Sequence, residues 1–406
     1  MKQLFIQHTF RKLLFLGFVL FSCVGEFWGQ EVRCEEVVDS NQVEDAIDRL
    51  ADNFVIASLV IAEPSGKLYS VLGHAALRLQ CPTFGLDYCF SYESEGVMNK
   101  VLTYLAGKLR MGLYPIPTQE YLDGYAEVNR GVREYVLNLP SEVKQELWRV
   151  CDQHVEEGAD LPFDYVKRGC AISCVHLLNE ALHGESLEYS EWPDDFNLSR
   201  RELAARRGKP YPWSKFVVNS LIGTEVDGWC SKEEKLIVPI DLAEMWSRAS
   251  FRGEPLVVEE HELLPFANPA PEKCITPLMV AILLLILAIG DLFIKVPYVD
   301  WFYLGIVSII GIFYTYLIFF SNLPSSNWFW PFVVYNPLPI LFWKWRRYWA
   351  ILYSALLLVW IIGMIAYPHM LVESAHMVFA LTFILVLLKN SQIYELFKKN
   401  IFANDK

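Results

Sequence analysis

Two residues in this sequence have the type and setting for covalent chemistry. Cys170 follows Gly169 and opens residues 170–183 (CAISCVHLLNEALH), whose apolar spacing predicts a helix that stops at Gly184. A helix N-terminus is the positive end of the macrodipole and presents free backbone N–H groups. Both effects favour a thiolate, so the thiol pKa is expected to be lowered. A thiol that attacks a carbonyl also needs a base. His74, in Gly73-His74-Ala75-Ala76-Leu77-Arg78, is the best candidate by type. Each residue also has an ordinary reading. A histidine among apolar strand residues is commonly a satisfied core residue, and a cysteine in an oxidising compartment is commonly half of a disulfide. Spacing alone leaves both readings open.

Other chemistries lack their residues. There is no H-E-x-x-H. Cys170 and Cys174 share a helix face, but no CxxC or histidine pair completes a zinc set. There is no G-x-S-x-G elbow and no phosphate-binding glycine loop. No metal and no cofactor is expected.

The elements that would hold the pair can be read around it. Residues 53–63 (NFVIASLVIAE) are rich in β-branched residues and predict a strand. Residues 69–80 and 87–93 predict a hairpin around Phe84-Gly85. That hairpin sets Ser91–Glu93 opposite His74. Residues 97–109 read as a helix, 133–139 as a strand, and Pro140-Ser141 opens a helix to about Val155. Residues 163–167 read as short and extended, and 235–239 as a short strand. No internal repeat or low-complexity segment is found. The domain at 31–265 is thus mixed α+β and long enough for one core.

Of 406 residues, 53% are hydrophobic, and the formal charge is −12. The apolar residues concentrate after Ile275, so the acidic charge falls mainly on the first part, where nucleic-acid binding is not expected. Five apolar segments, at 275–294, 301–320, 328–343, 349–367 and 377–388, predict a five-helix transmembrane bundle, with tryptophans at the segment ends. If the first runs inward, Lys295, Lys344, Arg346, Arg347, Lys389, Lys398 and Lys399 lie inside, and the outer loops at 321–327 and 368–375 hold no Lys or Arg. That bias places the first domain outside the cytoplasm. Within the bundle, Asp291 lies one turn from Lys295 and reads as an ion pair. Asn336-Pro337-Leu338-Pro339 implies a kink or break.

The N-terminus gives the same orientation. Lys2, Arg11 and Lys12 precede the apolar run LLFLGFVL, and small residues follow, as in an export signal at 1–25. Leu20-Phe21-Ser22-Cys23 looks somewhat like a lipidation signal, with an ordinary signal preferred. The outside domain then holds Cys34, Cys81, Cys89, Cys151, Cys170, Cys174 and Cys230, an odd number unless Cys274 joins them. Cys81 and Cys89 flank the hairpin turn and could bridge it.

The motif Tyr69-Ser70-x-x-Gly73-His74-Ala75-Ala76-x-Arg78 resembles the hallmark of the Lnb-type N-terminal periplasmic domain family of Bacteroidetes-like bacteria. Asp87-Tyr88-Cys89-Phe90-Ser91-Tyr92, Asn129-Arg130-Gly131-Val132, Leu137-Asn138-Leu139 and Phe163-Asp164-Tyr165 agree in order, as does Gly169-Cys170-Ala171, where that family usually has Asn-Cys-Ala. Residues 223–227 and Asp241-Leu242 also fall in order, and the membrane part, with Asn336-Pro337-Leu338, resembles the five-helix domain that often follows. The resemblance implies a papain-like fold, circularly permuted as in NlpC-like members. It implies Cys170 as nucleophile, His74 as its base, and a polar residue that orients the histidine. The family tends to have Asn where Ser91 stands, so Ser91 or Glu93 would take that part.

Together these readings give an export signal (1–25), a periplasmic papain-like domain (31–265), a linker (266–274), a transmembrane domain (275–390) and a cytoplasmic tail (391–406) in the inner membrane. The expected function is a thiol hydrolase or acyltransferase acting on an amide or ester. The expected partners are the lipid bilayer and a lipid, lipoprotein or cell-wall peptide substrate. The alternative is an inactive binding or scaffold domain on a membrane anchor.

Overall fold

The computed structural model describes residues 54–94, 100–158, 161–164, 166–189, 192, 194–267, 271–294, 298–323, 328–370 and 373–391. The expected export signal, Cys23, Cys34 and nearly all of the expected tail lie outside these residues.

Strand β1 (Ile56–Ala62) is buried along almost its whole length. Apolar side chains alternate to both sides of it, so it belongs inside a sheet covered on both faces. It pairs antiparallel with β2 (His74–Cys81). The hairpin from β2 to β3 (Leu86–Ser94) turns at Gly85, whose φ of 64° suits a residue without Cβ. Next come α1 (Lys100–Leu105), β4 (Arg110–Pro117), α2 (Thr118–Glu127), β5 (Val132–Leu137), α3 (Ser141–Glu157), β6 (Leu161–Pro162) and α4 (Cys170–Ala181). Beyond β7 (Glu188–Tyr189) lie α5 (Arg200–Arg207), α6 (Pro212–Leu221), α7 (Pro239–Trp246), β8 (Ala249–Phe251), β9 (Glu254–Pro255) and β10 (Val257–Leu264). Among the described residues the main sheet runs β10-β5-β1-β2-β3-β4-β6, and β7, β8 and β9 form a small second sheet.

Helix α3 buries Val143, Leu147, Val150 and Cys151, a stripe at helical spacing. Helix α4 buries residues around most of its circumference, from Ala171 to Ala181. It is enclosed between α3 and the sheet, where it meets Leu59, Leu77, Leu79 and Phe90, with Trp246 of α7 closing the same core. On the other face, Val60, Ala62, Ala76, Cys89 and Val132 lie under Tyr121 of α2. The domain is mixed α/β, with helices on both faces of the sheet.

Several expectations change. Val166 and Lys167 lie in a turn, because the buried Asp164 carboxylate accepts from their N–H groups (2.9 and 3.1 Å). Residues 235–239 form no strand. Pro239 opens α7, its missing N–H costing nothing at a first helical position. Cys81 and Cys89 are both free. Cys81 sits opposite Leu86 and Cys89 opposite Arg78, on different faces of the sheet, so no bridge can form.

In the C-terminal part, α8 (Pro277–Ile294), α9 (Val299–Phe319), α10 (Leu338–Leu341), α11 (Arg346–Ala366) and α12 (Ser374–Lys389) follow one another. Pro277–Ile294, Val299–Phe319 and Tyr348–Ala366 are long and apolar enough to cross a membrane, whereas α12 is apolar but has 16 residues.

The third expected segment, 328–343, is not one helix. It runs as a 3-10 turn at Trp330–Val333, then α10, then a second turn at Trp343–Trp345. Pro331, Pro337 and Pro339 remove backbone donors and break the ladder. Asn336 replaces some of the lost bonds. Its Oδ1 accepts from Leu338 N (3.2 Å) and its Nδ2 meets the Tyr353 hydroxyl, which donates to Val333 O (2.6 Å). Gly311 makes room in α9, since a Cβ there would lie 2.5 Å from Asn336 Cα. Asp291 pairs with Lys389 of α12, and Lys295, its expected partner, lies outside the described residues.

Candidate active site

The motif around His74 begins with a backbone constraint. Gly73 has φ +91°, and a Cβ there would stand 2.7 Å from the Ala62 carbonyl. Only glycine passes this turn without strain, so it fixes where β2 starts. His74 then pairs with Ala62 across β1. Alternation puts His74, Ala76 and Arg78 on the α2 face of β2, and Cys89, Ser91 and Glu93 on the same face of β3.

That placement brings three of the four expected site residues into one chain. His74 Nε2 lies 2.7 Å from Ser91 Oγ, and Ser91 Oγ donates to Glu93 Oε1 at 3.2 Å. A serine that donates to the carboxylate accepts from the imidazole, which fixes the proton on Nε2 and leaves the Nδ1 lone pair as the basic site. His74 is thus held in one tautomer by its own strand neighbours.

Cys170 is the fourth residue. It opens α4 after the extended Gly169, which supplies no side-chain cap. The backbone N–H of Ala75, the residue after His74, faces its sulfur, as do those of Ala171 and Cys170 itself. A strand N–H lies near the plane of the sheet rather than out of a face. The β2–β3 ladder has already stopped at Leu77–Phe90. Cys170 packs against the core on the α4 side of the sheet, beside the strand end that carries the imidazole, whose ring lies on the α2 face. Among the described residues no hydrogen bond joins the thiol to His74.

Protonation departs from the sequence expectation. Burial pushes the Cys170 thiol above its ordinary value, and the three N–H groups oppose this without reversing it. The helix terminus therefore does not yield a resting thiolate. Burial, with the Arg130 guanidinium second, lowers His74 to about 4. Both groups are neutral at neutral pH. Two neighbouring thiols are raised by burial as well: Cys89 is driven up to about 12, and Cys174 well above the ordinary range.

Arg130, whose residue type and spacing carry no site signal, lies close enough to act on His74. Its guanidinium donates to the Glu63 carbonyl (2.8 Å from Nε) and lies over the Tyr125 ring at 4.8 Å. The Glu63 carboxylate accepts from Gly131 N at 2.7 Å and from Ala267 N, tying the start of the linker to this end of the sheet. Gly131 is required there, because a Cβ would meet the Pro265 carbonyl at 2.4 Å. Tyr125 gave no sequence signal at all. Arg78 has a structural part. It donates to both oxygens of Asp87 (2.9 and 2.7 Å) and to Glu134 (3.0 Å), bracing β2 against its neighbours. Among the described residues no cluster could hold a metal ion.

Fold and site define a mixed α/β domain with a strand-borne histidine and a helix-borne cysteine, followed by apolar helices of membrane-crossing length. Residues 45–201 match the model of the Lnb N-terminal periplasmic domain family, so the resemblance carried by the His and Cys blocks holds over that stretch. The chain is accordingly a membrane protein with a periplasmic N-terminal domain that is similar to that family over residues 45–201. No curated protein and no solved structure matches it.

Proposed function

We propose that the chain is a membrane-anchored periplasmic thiol hydrolase or acyltransferase, with Cys170 as nucleophile and His74 as base. One observation carries this reading. The Cys170 sulfur faces the N–H of the residue next to His74, and the His74 ring is oriented by Ser91 and Glu93. The order of the parts, strand-borne His before helix-borne Cys, fits a circularly permuted papain-like domain.

The chemistry starts from two neutral groups. His74 Nδ1 takes the thiol proton as the sulfur attacks an amide or ester carbonyl, and a C–S bond forms. Free N–H groups at the start of α4 hold the developing oxyanion. Collapse breaks the bond to the leaving amine or alcohol, which takes the proton back from His74. Water or an acceptor amine gives a proton to His74 and attacks the thioester; the C–S bond breaks, and the departing Cys170 thiolate takes that proton back as the neutral thiol. Proton loss coupled to attack removes the need for a resting thiolate, which burial disfavours.

The same proposal carries the topology. The domain is periplasmic to about residue 265, with a linker at 266–274, and the bundle crosses the inner membrane five times to a cytoplasmic C-terminus. The basic residues favour this orientation. For the third crossing, the Trp328 carbonyl accepts from Thr224 N of the exported domain (2.9 Å). The Trp343 ring lies tilted against Trp301, at the other end of α9 (5.7 Å between centroids). A broken stretch can cross lipid if it is enclosed by protein, and Phe329, Val334 and Tyr335 are buried. The short linker keeps the site near the bilayer, which favours a lipid, lipoprotein or membrane-proximal cell-wall peptide as substrate.

The test is labelling of the purified full chain with a thiol-reactive probe, read by mass spectrometry. Cys170 should be modified in the folded protein, and Cys170→Ala should lose that adduct. Cys170 in a disulfide with Cys174 or Cys230 would end the catalytic reading. A binding or scaffold domain is the second reading, favoured by the missing thiol–imidazole hydrogen bond. It expects Cys170→Ala and His74→Ala cells to behave as wild type.

A further inference from the structure

Several large apolar side chains of the exported domain stand in the open. Trp229 is 93% exposed, Leu102 76%, Tyr69 69% and Trp213 43%. A globular domain gains nothing by showing a whole indole to water. Their positions are not scattered over the surface.

Each belongs to an element that touches the outer end of the bundle. Leu102 is on α1, whose last turn meets α9: Ser321 Oγ donates to Leu105 O (2.5 Å), and Asn322 N to Ala106 O (3.4 Å). Trp229 comes two residues after Asp227, which accepts from Trp330 Nε1 (3.1 Å). Trp213 opens α6 and donates to the Ile275 carbonyl, just before α8 (2.7 Å). Tyr69 lies in the turn Leu68–Ser70, which packs beside α6. The same helix binds the start of α12, with Asn219 Nδ2 on Glu373 (2.8 Å) and Ser220 Oγ on His376 Nε2 (2.9 Å).

These contacts reach one end each of α8, α9 and α12 and the turn at Trp330–Val333, which in the proposed topology lie at the periplasmic surface of the bilayer. Phe84, Val128, Leu161 and Val258 are exposed as well and belong to none of these elements; Phe84 sits at the hairpin turn at the opposite end of β2 from His74.

We propose that Tyr69, Leu102, Trp213 and Trp229 form a rim that enters the headgroup region of the outer leaflet, so that the exported domain lies on the bilayer rather than above it. The partner is phospholipid, argued from continuity with the helices already in it. Tryptophan and tyrosine suit that layer, since the ring body is apolar and the N–H or O–H reaches water and headgroups. The His74 end of the sheet adjoins the same elements: just after β1, the Pro64 carbonyl accepts from Tyr211 (3.2 Å) and the Gly66 carbonyl from Ser214 of α6 (2.5 Å). This placement goes beyond the thiol reading and does not depend on it.

The test uses the full chain labelled with fluorotryptophan in phospholipid nanodiscs, read by fluorine NMR. The Trp229 resonance is the one missing from Trp229→Phe, a change at an exposed side chain that leaves the core intact. With a phospholipid carrying a nitroxide high on its acyl chain, that resonance should broaden severalfold. A water-soluble gadolinium chelate should affect it less than it does in detergent-free peptide controls. A Trp229 signal that stays sharp with the lipid nitroxide overturns the proposal. Trp301 of α9, assigned in the same way, reports the bundle: if it broadens and Trp229 does not, the rim fails alone, and if neither broadens, the membrane reading fails with it. Cys170→Ala should give the same spectra, which keeps this result separate from the catalytic one.

Discussion

At the scale of single residues, the site rests on neutral groups held in place rather than on a preformed ion pair. Ser91 is the pivot, because it accepts from His74 and donates to Glu93. Ser91→Ala removes a hydrogen bond worth about 1 kcal/mol net. The rate of Cys170 alkylation by a neutral haloacetamide should then fall about tenfold or less, with Cys170 still the modified residue. An unchanged rate would remove Ser91 from the site. His74 also makes a pH prediction. Its folded pKa, about 4, lies below its ordinary 6.5. Between those values the unfolded chain binds more protons, so stability falls as pH drops through this window and the loss is complete below about 4. The ceiling is about 3 kcal/mol. Thermal unfolding in detergent should show an acid-side loss that shrinks in His74→Ala, and equal acid sensitivity in the two proteins would contradict the assignment.

At the scale of elements, the exported domain and the bundle share an anchor at Arg201. This side chain is buried and donates to Asp227 Oδ1 (2.7 Å) and to the carbonyls of Asn219 and Gly223 (2.9 Å each). Asp227 in turn receives Trp330. Asp227→Ala leaves a buried guanidinium without its charge partner, which costs about 3–5 kcal/mol. The variant should unfold at a clearly lower temperature, and Asp227→Asn should recover part of the loss by keeping an acceptor. The sequence already showed part of this layout. Strand β1, the β2–β3 hairpin, α3 and α4 were legible because their apolar spacing matches their buried faces. Helix α5 carries its own start signal in the sequence, the capping box of Ser199 and Glu202. The turn at Asp164 and the start of α7 were misread because a side-chain acceptor and a proline set the local backbone there, not periodicity. The break in 328–343 was legible in its prolines, but the bonds that repair it, from Asn336 and Tyr353, are made in three dimensions.

At the scale of the whole molecule, the His74 and Cys170 blocks were readable as motifs, while their protonation was not. A helix N-terminus argues for a thiolate, but the enclosure of α4 between α3 and the sheet decides the sign, and no spacing rule reports that burial. Arg130 and Tyr125 join the site only because the chain after α2 returns beside β1. The proposed orientation has its own check. Cys274 is exposed just before α8, so an impermeant maleimide should label it in intact spheroplasts. Labelling only after lysis would reverse the topology. The central claim is that Cys170 carries an acyl group during turnover. Its most direct test is mass spectrometry of the full chain, taken from its native membrane and quenched in acid. The account expects an acyl adduct on Cys170 that neutral hydroxylamine removes and that is absent from His74→Ala. A Cys170 that is unmodified, or held in a disulfide, in the quenched wild-type protein would contradict it.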